Sequence, residues 1–341
     1  MTQTQSLRLG LLGAANIGRQ FTAAVAGSDK VTVAAVASRS DDRAAAYAAE
    51  NGIPRSHGSY EALLADPAID AVYIPLPNNM HAEWAIRALQ AGKHVLCEKP
   101  LAMNADEVAG MFDAARSAGR LLVEGYPWLA QPQTARLREI LAAGEIGEVR
   151  QISAAFVAPF SDPTNIRLKP ENGGGALLDL GSYCVSMLRV VAGTRPVSVT
   201  AQADWSDTGV DRGMVATLLF PNGVSATLNC SFSALYQRRA LICGSGGSIT
   251  TTYRNHAPGA EAEPMQMWQG GAMLTEVQTI PSAGVNGFRA EAESFADAVA
   301  FGPDRWTGAS EAESLDIAMM LDAITASART GRMVELPQVT A

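Results

Sequence analysis

A chain of 341 residues is long for a single hydrophobic core, so two domains are expected. Its composition, 48% hydrophobic and 18% charged, is ordinary for a soluble protein, and a formal net charge of −8 speaks against a nucleic acid or an anionic membrane as partner. No uninterrupted apolar run approaches the roughly 18 residues that a bilayer span needs, and the opening MTQTQSLRLG lacks the charged-then-apolar pattern of a secretory leader. The four cysteines, Cys97, Cys184, Cys230 and Cys243, are widely spaced without a CxxC pair, and the four histidines show no ligand spacing. Reduced thiols in a cytoplasm and no metal are therefore expected.

Leu7–Leu12 is an apolar run of strand length, followed by Gly13-Ala14-Ala15-Asn16-Ile17-Gly18 and a helical stretch to about Ala26. Ala15 stands where the G-x-G-x-x-G fingerprint has its second glycine. The first glycine permits a tight turn, the small second residue lets a pyrophosphate approach the backbone, and the third allows close helix–strand packing. Free N–H groups and the helix dipole favour phosphate at that N-terminus. Val31–Ala37 supplies a second strand. About 20 residues past the glycines, an Asp or Glu would select NAD by holding the ribose 2′-OH. This chain has Ser38-Arg39 instead, and no acid before Asp41. A hydroxyl and a guanidinium suit a 2′-phosphate, so NADP(H) is the expected cofactor and NAD(H) the less favoured one. A solvated Arg39 opening the next helix is the plainer reading of that residue.

Helical stretches at Asp41–Asn51 and Tyr60–Ala65 precede a strand at Ala71–Ile74, which ends in Pro75-Leu76-Pro77-Asn78. Asn79 is read as the cap of a helix through Gln90 that closes at Gly92. Asn78 and His81 then stand beyond a strand's carboxyl end, the edge where open α/β sheets bind ligands. Val95-Leu96-Cys97 is a short apolar run stopped by Glu98-Lys99-Pro100, because proline cannot extend the ladder. Lys99 therefore projects from the same edge, where a compact ammonium suits a site at which charge or a proton moves. A helix from Asn104 to Ala118, a strand at Leu121–Glu124, the loop Gly125-Tyr126-Pro127-Trp128 and a helix at Gln133–Ala143 lead into the second domain.

Beyond Gly147 the pattern changes. Val149–Val157, Val197–Trp205, Met214–Phe220, Val224–Phe232 and Ala240–Cys243 alternate or run apolar, with Pro221-Asn222-Gly223 as a hairpin turn. Strands without intervening helices mean an antiparallel sheet and an α+β domain. One helix, Gly173–Tyr183, interrupts them and places Asp179 and Tyr183 four residues apart on one face; its three leading glycines allow close approach to another surface. Tyr253–Glu263 is read as a mobile loop. Helices return at Arg289–Phe301, expected to pack back on the nucleotide domain, and at Ser310–Thr330.

Gly13–Gly18, the run Ala91-Gly92-Lys93-His94-Val95-Leu96-Cys97-Glu98-Lys99-Pro100, and Gly173–Tyr183 together resemble the glucose–fructose oxidoreductase/inositol dehydrogenase (Gfo/Idh/MocA) family over essentially the whole chain. The resemblance implies an N-terminal Rossmann NADP-binding domain (1–125). It is followed by an α+β substrate-binding and oligomerisation domain with an open, mostly antiparallel sheet (126–341). It implies hydride transfer between NAD(P) and a hydroxyl carbon of an aldose or related cyclic polyol, with Lys99 and Asp179 on the family's catalytic positions. Many members carry histidine where this chain has Tyr183. That departure is similar to the dimeric trans-dihydrodiol dehydrogenases and D-xylose dehydrogenases, in which tyrosine is the acid/base. Leu129 and Gln131 stand where that subgroup more often has arginine and histidine.

The resemblance further implies that Gly13, Ala14, Ala15, Asn16, Ile17, Gly18, Ser38, Arg39, Arg43, Pro75, Leu76, Asn78, His81, Glu98, Lys99 and Trp128 line the cofactor. Tyr126, Asn165, Arg167 and Tyr183 are the candidates for substrate, with Lys169 beside them. A small polyhydroxylated substrate and a homodimer or tetramer through the second sheet are the expected partners. Trans-dihydrodiol dehydrogenase or an inositol/ketosugar reductase is the alternative activity; a non-catalytic NADP sensor is the alternative of another class.

Overall fold

The computed structural model describes residues 6–160, 162, 164–256, 261–270 and 276–338. It divides into two compact units, Met1–Ala130 with Asn286–Glu311, and Gln131–Val285 with Ala312–Ala341. The first unit therefore runs a few residues past 125 and takes back a later helix.

In the first unit Leu7–Leu12 (β1), Asn16–Val25 (α1), Val31–Ala37 (β2), Asp41–Asn51 (α2), Ser56–His57 (β3), Tyr60–Leu64 (α3), Ala71–Ile74 (β4), His81–Gln90 (α4), His94–Glu98 (β5), Ala105–Ala118 (α5) and Leu122–Gly125 (β6) alternate. The sheet order is β3-β2-β1-β4-β5-β6, with every pair parallel. β1, β2, β4 and β5 are apolar at nearly every position because helices cover both faces. The strand order reverses between β1 and β4, so the loops after those two strands flank the crevice that such sheets open to a ligand. Asn79 does not cap α4: a short 3₁₀ turn, Asn78–Met80, precedes it.

The second unit opens with Pro132–Ala142 (α6) and Val149–Val157 (β7). A π-helical turn at Leu177–Gly181 leads into Ser182–Ala192 (α7). Then come Ser198–Trp205 (β8), Asp211–Leu219 (β9), Ser225–Ser231 (β10), Gln237–Gly244 (β11), Gly247–Thr251 (β12), Met265–Gln269 (β13) and Glu276–Ile280 (β14). Gly287–Phe301 (α8) belongs to the first unit, and Glu311–Thr330 (α9) with Val334–Glu335 (β15) closes the described chain. The second sheet runs β14-β13-β12-β11-β7-β10-β9-β8-β15, antiparallel except where β10 pairs with β7. The turn at Asn222-Gly223 joins β9 to β10, with Gly223 at φ +78°. α7 packs on β7 and β10, while Val215, Leu219, Leu241 and Val277 stay exposed.

α8 completes the first core. Phe21 of α1 stacks on Tyr73 at 4.0 Å and meets Phe288 edge-on at 6.0 Å, and Ala292 and Phe295 bury beside them.

A further expectation needs correction. The glycines Gly173–Gly175 are not helical; they form the turn before it, where a Cβ on Gly174 would stand 2.4 Å from the Arg167 carbonyl and one on Gly175 2.2 Å from Asp211 Oδ1. The segment Pro170–Ala192 is long and apolar enough to cross a membrane by length and composition, although its apolar residues are broken by glycines and polar side chains; 78% of its most apolar 18-residue window is buried inside the fold, as for a core helix. Of the loop read as mobile, residues 257–260 lie outside the described residues, and the flanking Tyr253 is buried.

Candidate active site

In the first unit the loop after β1 is shaped for a close-approaching ligand. Gly13 sits at φ +117°, and a Cβ there would press 2.9 Å from Leu76 Cδ2; one on Gly18 would stand 2.9 Å from the Tyr47 hydroxyl. Tyr47 donates to the Ala15 carbonyl at 2.9 Å, and Arg43 Nη2 reaches the Ala14 carbonyl at 3.4 Å. Ala14, Ala15 and Ile17 are half-buried and Asn16 is exposed. α2, α3 and α5 are capped by Ser40, Ser59 and Asn104. By contrast, α1 has Ala15 at its N-cap, with no side-chain cap and no acid in its first turn. Its leading N–H groups and dipole are thus left to an anion. At the end of β2, Ser38 is 3% exposed and Arg39 and Arg43 are exposed. The first acid, Asp41, packs against Gly58, where a Cβ would be 2.1 Å from its Oδ1. These residues fit a dinucleotide carrying a 2′-phosphate.

The other expected cofactor residues divide. Pro75 and Leu76 are buried under the same loop, Asn78 opens the 3₁₀ turn, and Lys99 is half-buried after β5, with a cis Lys99–Pro100 peptide. His81 is fully buried, its Nδ1 2.9 Å from the Pro100 carbonyl and its Nε2 2.8 Å from that of Leu76. Burial, with a push from the Lys99 charge, lowers its pKa. It clamps the loops after β4 and β5 to each other and faces no ligand surface. Glu98 also points inward and accepts the Tyr73 O–H. Tyr126 and Trp128 are both 0% exposed. The parallel sheet and its loops need polar and aromatic filling at this edge, and His81 and Glu98 supply part of it.

In the second unit Asn165 caps the turn Ile166–Leu168 by accepting the Arg167 N–H at 3.0 Å. Arg167 then donates Nε to Asp179 Oδ2 at 2.6 Å and stacks 4.8 Å from the Phe160 ring. An arginine expected to bind substrate hydroxyls is therefore the ion-pair partner of the helix aspartate. Lys169 is half-buried on the same loop. Asp211, on β9, accepts the Leu177 N–H at 2.7 Å and so anchors the π turn that carries Asp179. Tyr183 is 6% exposed, and its hydroxyl accepts the Asn255 amide N–H at 2.8 Å. Gln131 holds Asn255 in turn, donating to its backbone carbonyl at 2.5 Å. Asn255 and its neighbour Arg238 escaped the sequence reading. The available signal for Arg238 was strand parity, which puts it on the inward face of β11 with Ala240 and Ile242.

Residues 7–126 match the model of an oxidoreductase family with an NAD-binding Rossmann fold, and residues 134–250 match the Gfo/Idh/MocA C-terminal domain. The chain belongs to the Gfo/Idh/MocA family. As a member of that family it is an oxidoreductase, and the sensor alternative falls away. It is 36% identical to a D-xylose 1-dehydrogenase (NADP(+)) of Haloferax volcanii over 97% of this chain and 100% of that one. It is 34% identical to a trans-1,2-dihydrobenzene-1,2-diol dehydrogenase of Danio rerio over 93% and 95%. A 3-ketoreductase from Actinomadura kijaniata, solved in complex with NADP and TDP-benzene, superposes with a TM-score of 0.85 at 31% identity, over 94% of this chain and 98% of the other.

Proposed function

We propose that this family member is an NADP-dependent dehydrogenase or reductase acting on a hydroxyl or carbonyl carbon of an aldose or related cyclic polyol. The observation that carries the reading is the cradle after β1 and β2: an uncapped α1, Ser38 and two exposed arginines, with the first acid turned onto Gly58. The NADP-linked xylose dehydrogenase and ketoreductase among its relatives support it. Bound there, the nicotinamide supplies the hydride acceptor for oxidation and the donor for reduction. The protein handles the proton. As hydride leaves the carbinol carbon, the hydroxyl proton must pass to a base within hydrogen-bond reach, and Tyr183 Oη is that base. A free tyrosine, with a pKa of about 10, is a weak base near neutrality; positive charge favours its phenolate. The Lys99 ammonium supplies such charge and steadies the alkoxide, so the two act as one acid/base unit, with Asp179 orienting them. Reduction runs the same steps backward. A cyclic dihydrodiol or ketosugar is the second reading, favoured by the dihydrodiol dehydrogenase and the 3-ketoreductase relatives.

Incubation with NADP or NAD and a panel of aldoses, inositols and dihydrodiols, followed by nicotinamide absorbance, tests the assignment. Turnover of D-xylose or another aldose with NADP is expected; turnover with none of the panel overturns it. The exposed Val215, Leu219 and Leu241 on the second sheet further support a homo-oligomer through that face, which a purely monomeric sedimentation profile would refute. A cytoplasmic setting suits its free, mostly buried thiols.

A further inference from the structure

Arg238 is 5% exposed, and its guanidinium lies among three aromatic rings. Its Cζ stands 4.2 Å from the centroid of Tyr183, 4.6 Å from Tyr253 and 4.7 Å from Phe156. Nη1 donates to Asn255 Oδ1 at 3.1 Å, while Nε and Nη2 are buried without a hydrogen-bond partner among the described residues. A guanidinium has donors only, so the amide oxygen must face it and the amide –NH₂ must face Tyr183. The first bond thus fixes the direction of the second. Asn255 fills a lone pair of the Tyr183 hydroxyl and takes none of its proton. Tyr253 donates its O–H to the Ala155 carbonyl at 3.1 Å.

Asn255 is held from both sides. Gln131 donates to its backbone carbonyl and to that of Val285. Two residues upstream, Tyr253 has φ +34°, the one non-glycine residue at positive φ among those described. Such strain persists only where surrounding contacts over-determine it. Two other titratable groups touching this cluster are held towards their neutral forms. Burial pushes the Cys184 thiol up to about 11 and the Tyr253 phenol well above its ordinary range. On the turn preceding Tyr183, Asp179 is paired with Arg167. Arg238 is therefore a charge on the tyrosine ring that packing alone does not call for, since a buried cation with no carboxylate is costly.

We propose that Arg238 and Asn255 are positioning residues for Tyr183: the guanidinium places positive charge on its ring face, and the amide donates to its hydroxyl oxygen and fixes its orientation. This rests on the acid/base reading of Tyr183 above. Both groups favour phenolate and so help the oxygen accept a proton from a carbinol.

The test compares Arg238→Met, Arg238→Lys, Asn255→Ala and Tyr183→Phe in the full chain, with NADP and D-xylose or the panel compound turned over fastest. Loss of one hydrogen bond to a group that becomes charged should lower kcat about 10- to 100-fold in Asn255→Ala, with NADPH affinity unmoved. Arg238→Met should lose at least as much and move the pH limb of kcat/KM for oxidation to higher pH; Arg238→Lys should recover part of both. If Arg238→Met does not fold, Asn255→Ala and Arg238→Lys decide by the same readouts. Turnover within twofold of the parent, or a lower kcat with the pH limb in place, would make the cluster structural and overturn the proposal, while loss of turnover in Tyr183→Phe still upheld the acid/base reading. Near-full turnover in Tyr183→Phe would remove that reading and this inference together.

Discussion

Glu291→Gln should stabilise this protein near neutral pH. Glu291 lies on α8, is 1% exposed, and neither carboxyl oxygen meets a hydrogen-bond partner among the described residues. Its Oε1 stands 3.6 Å from where a Cβ on Gly125 would be, at the carboxyl end of β6. Burial first, then the charge of Glu98, raises its pKa well above the ordinary carboxylate range. The folded state thus keeps a proton that the unfolded chain releases above about pH 4.3. With more protons bound folded than unfolded, stability is greatest below the unfolded pKa and falls as pH rises towards the folded one. One proton gives a slope of at most about 1.4 kcal/mol per pH unit. Glutamine keeps the shape and cannot ionise, so the variant should lack this slope. Urea denaturation of both proteins at steps from about pH 4 to about 8 reads the difference. The two should be similar in stability at the acid end and diverge as pH rises, the variant ahead. A variant less stable by the same margin at every pH would refute the reasoning, because it would mean that the Glu291 carboxyl makes contacts an amide cannot replace.

Ser38→Asp should reverse or erase the preference for NADP(H) over NAD(H), since a carboxylate repels the 2′-phosphate and accepts from the 2′-OH; equal titration curves for both dinucleotides in the parent protein would sink the idea. Tyr183→Phe should lower turnover by about 10²–10⁴-fold with little change in NADP(H) affinity. Lys99→Met should cost at least as much, and steady-state rates of the double variant should be scarcely below the poorer single one, because groups acting as a unit are not additive. Additive losses would separate their roles.

The first unit was legible because its signals are long and local. β1, β2 and β4 are apolar runs bounded by turn residues, and their observed limits coincide with the runs. β3 escaped because a pair of residues, Ser56–His57, carries no period. In the second unit β14 reads Glu-Val-Gln-Thr-Ile and is exposed along most of its length. An edge strand with little burial on either face has no alternation to detect. The π turn at Leu177–Gly181 was invisible for another reason. Its first N–H, that of Leu177, is held by Asp211, a contact made by a strand far along the chain.

The same division runs through the site. Gly13–Gly18, Ser38-Arg39 and the Glu98-Lys99-Pro100 run could be read directly, because a phosphate cradle and a strand end are built from consecutive residues. What each side chain then does depends on three dimensions. His81 and Glu98 sit in the expected loops, where His81 meets the Pro100 and Leu76 carbonyls and Glu98 the Tyr73 hydroxyl, since the carboxyl edge of a parallel sheet must satisfy its own polar groups. Gln131 looked like a lost polar contact to substrate, and instead it pins the backbone of Asn255. Arg238 was the recoverable omission. In Gln237-Arg238-Arg239-Ala240-Leu241-Ile242 only one of two neighbouring arginines can share the inward face with Ala240 and Ile242. An arginine turned into a core by strand parity demands partners, and the residues able to meet that demand are aromatic faces and amide oxygens. Tyr183, already singled out by its place after Asp179, is one such face. Parity on β11 gives the inward arginine; that it meets Tyr183, Tyr253 and Phe156, and the amide that bridges it to Tyr183, required the fold.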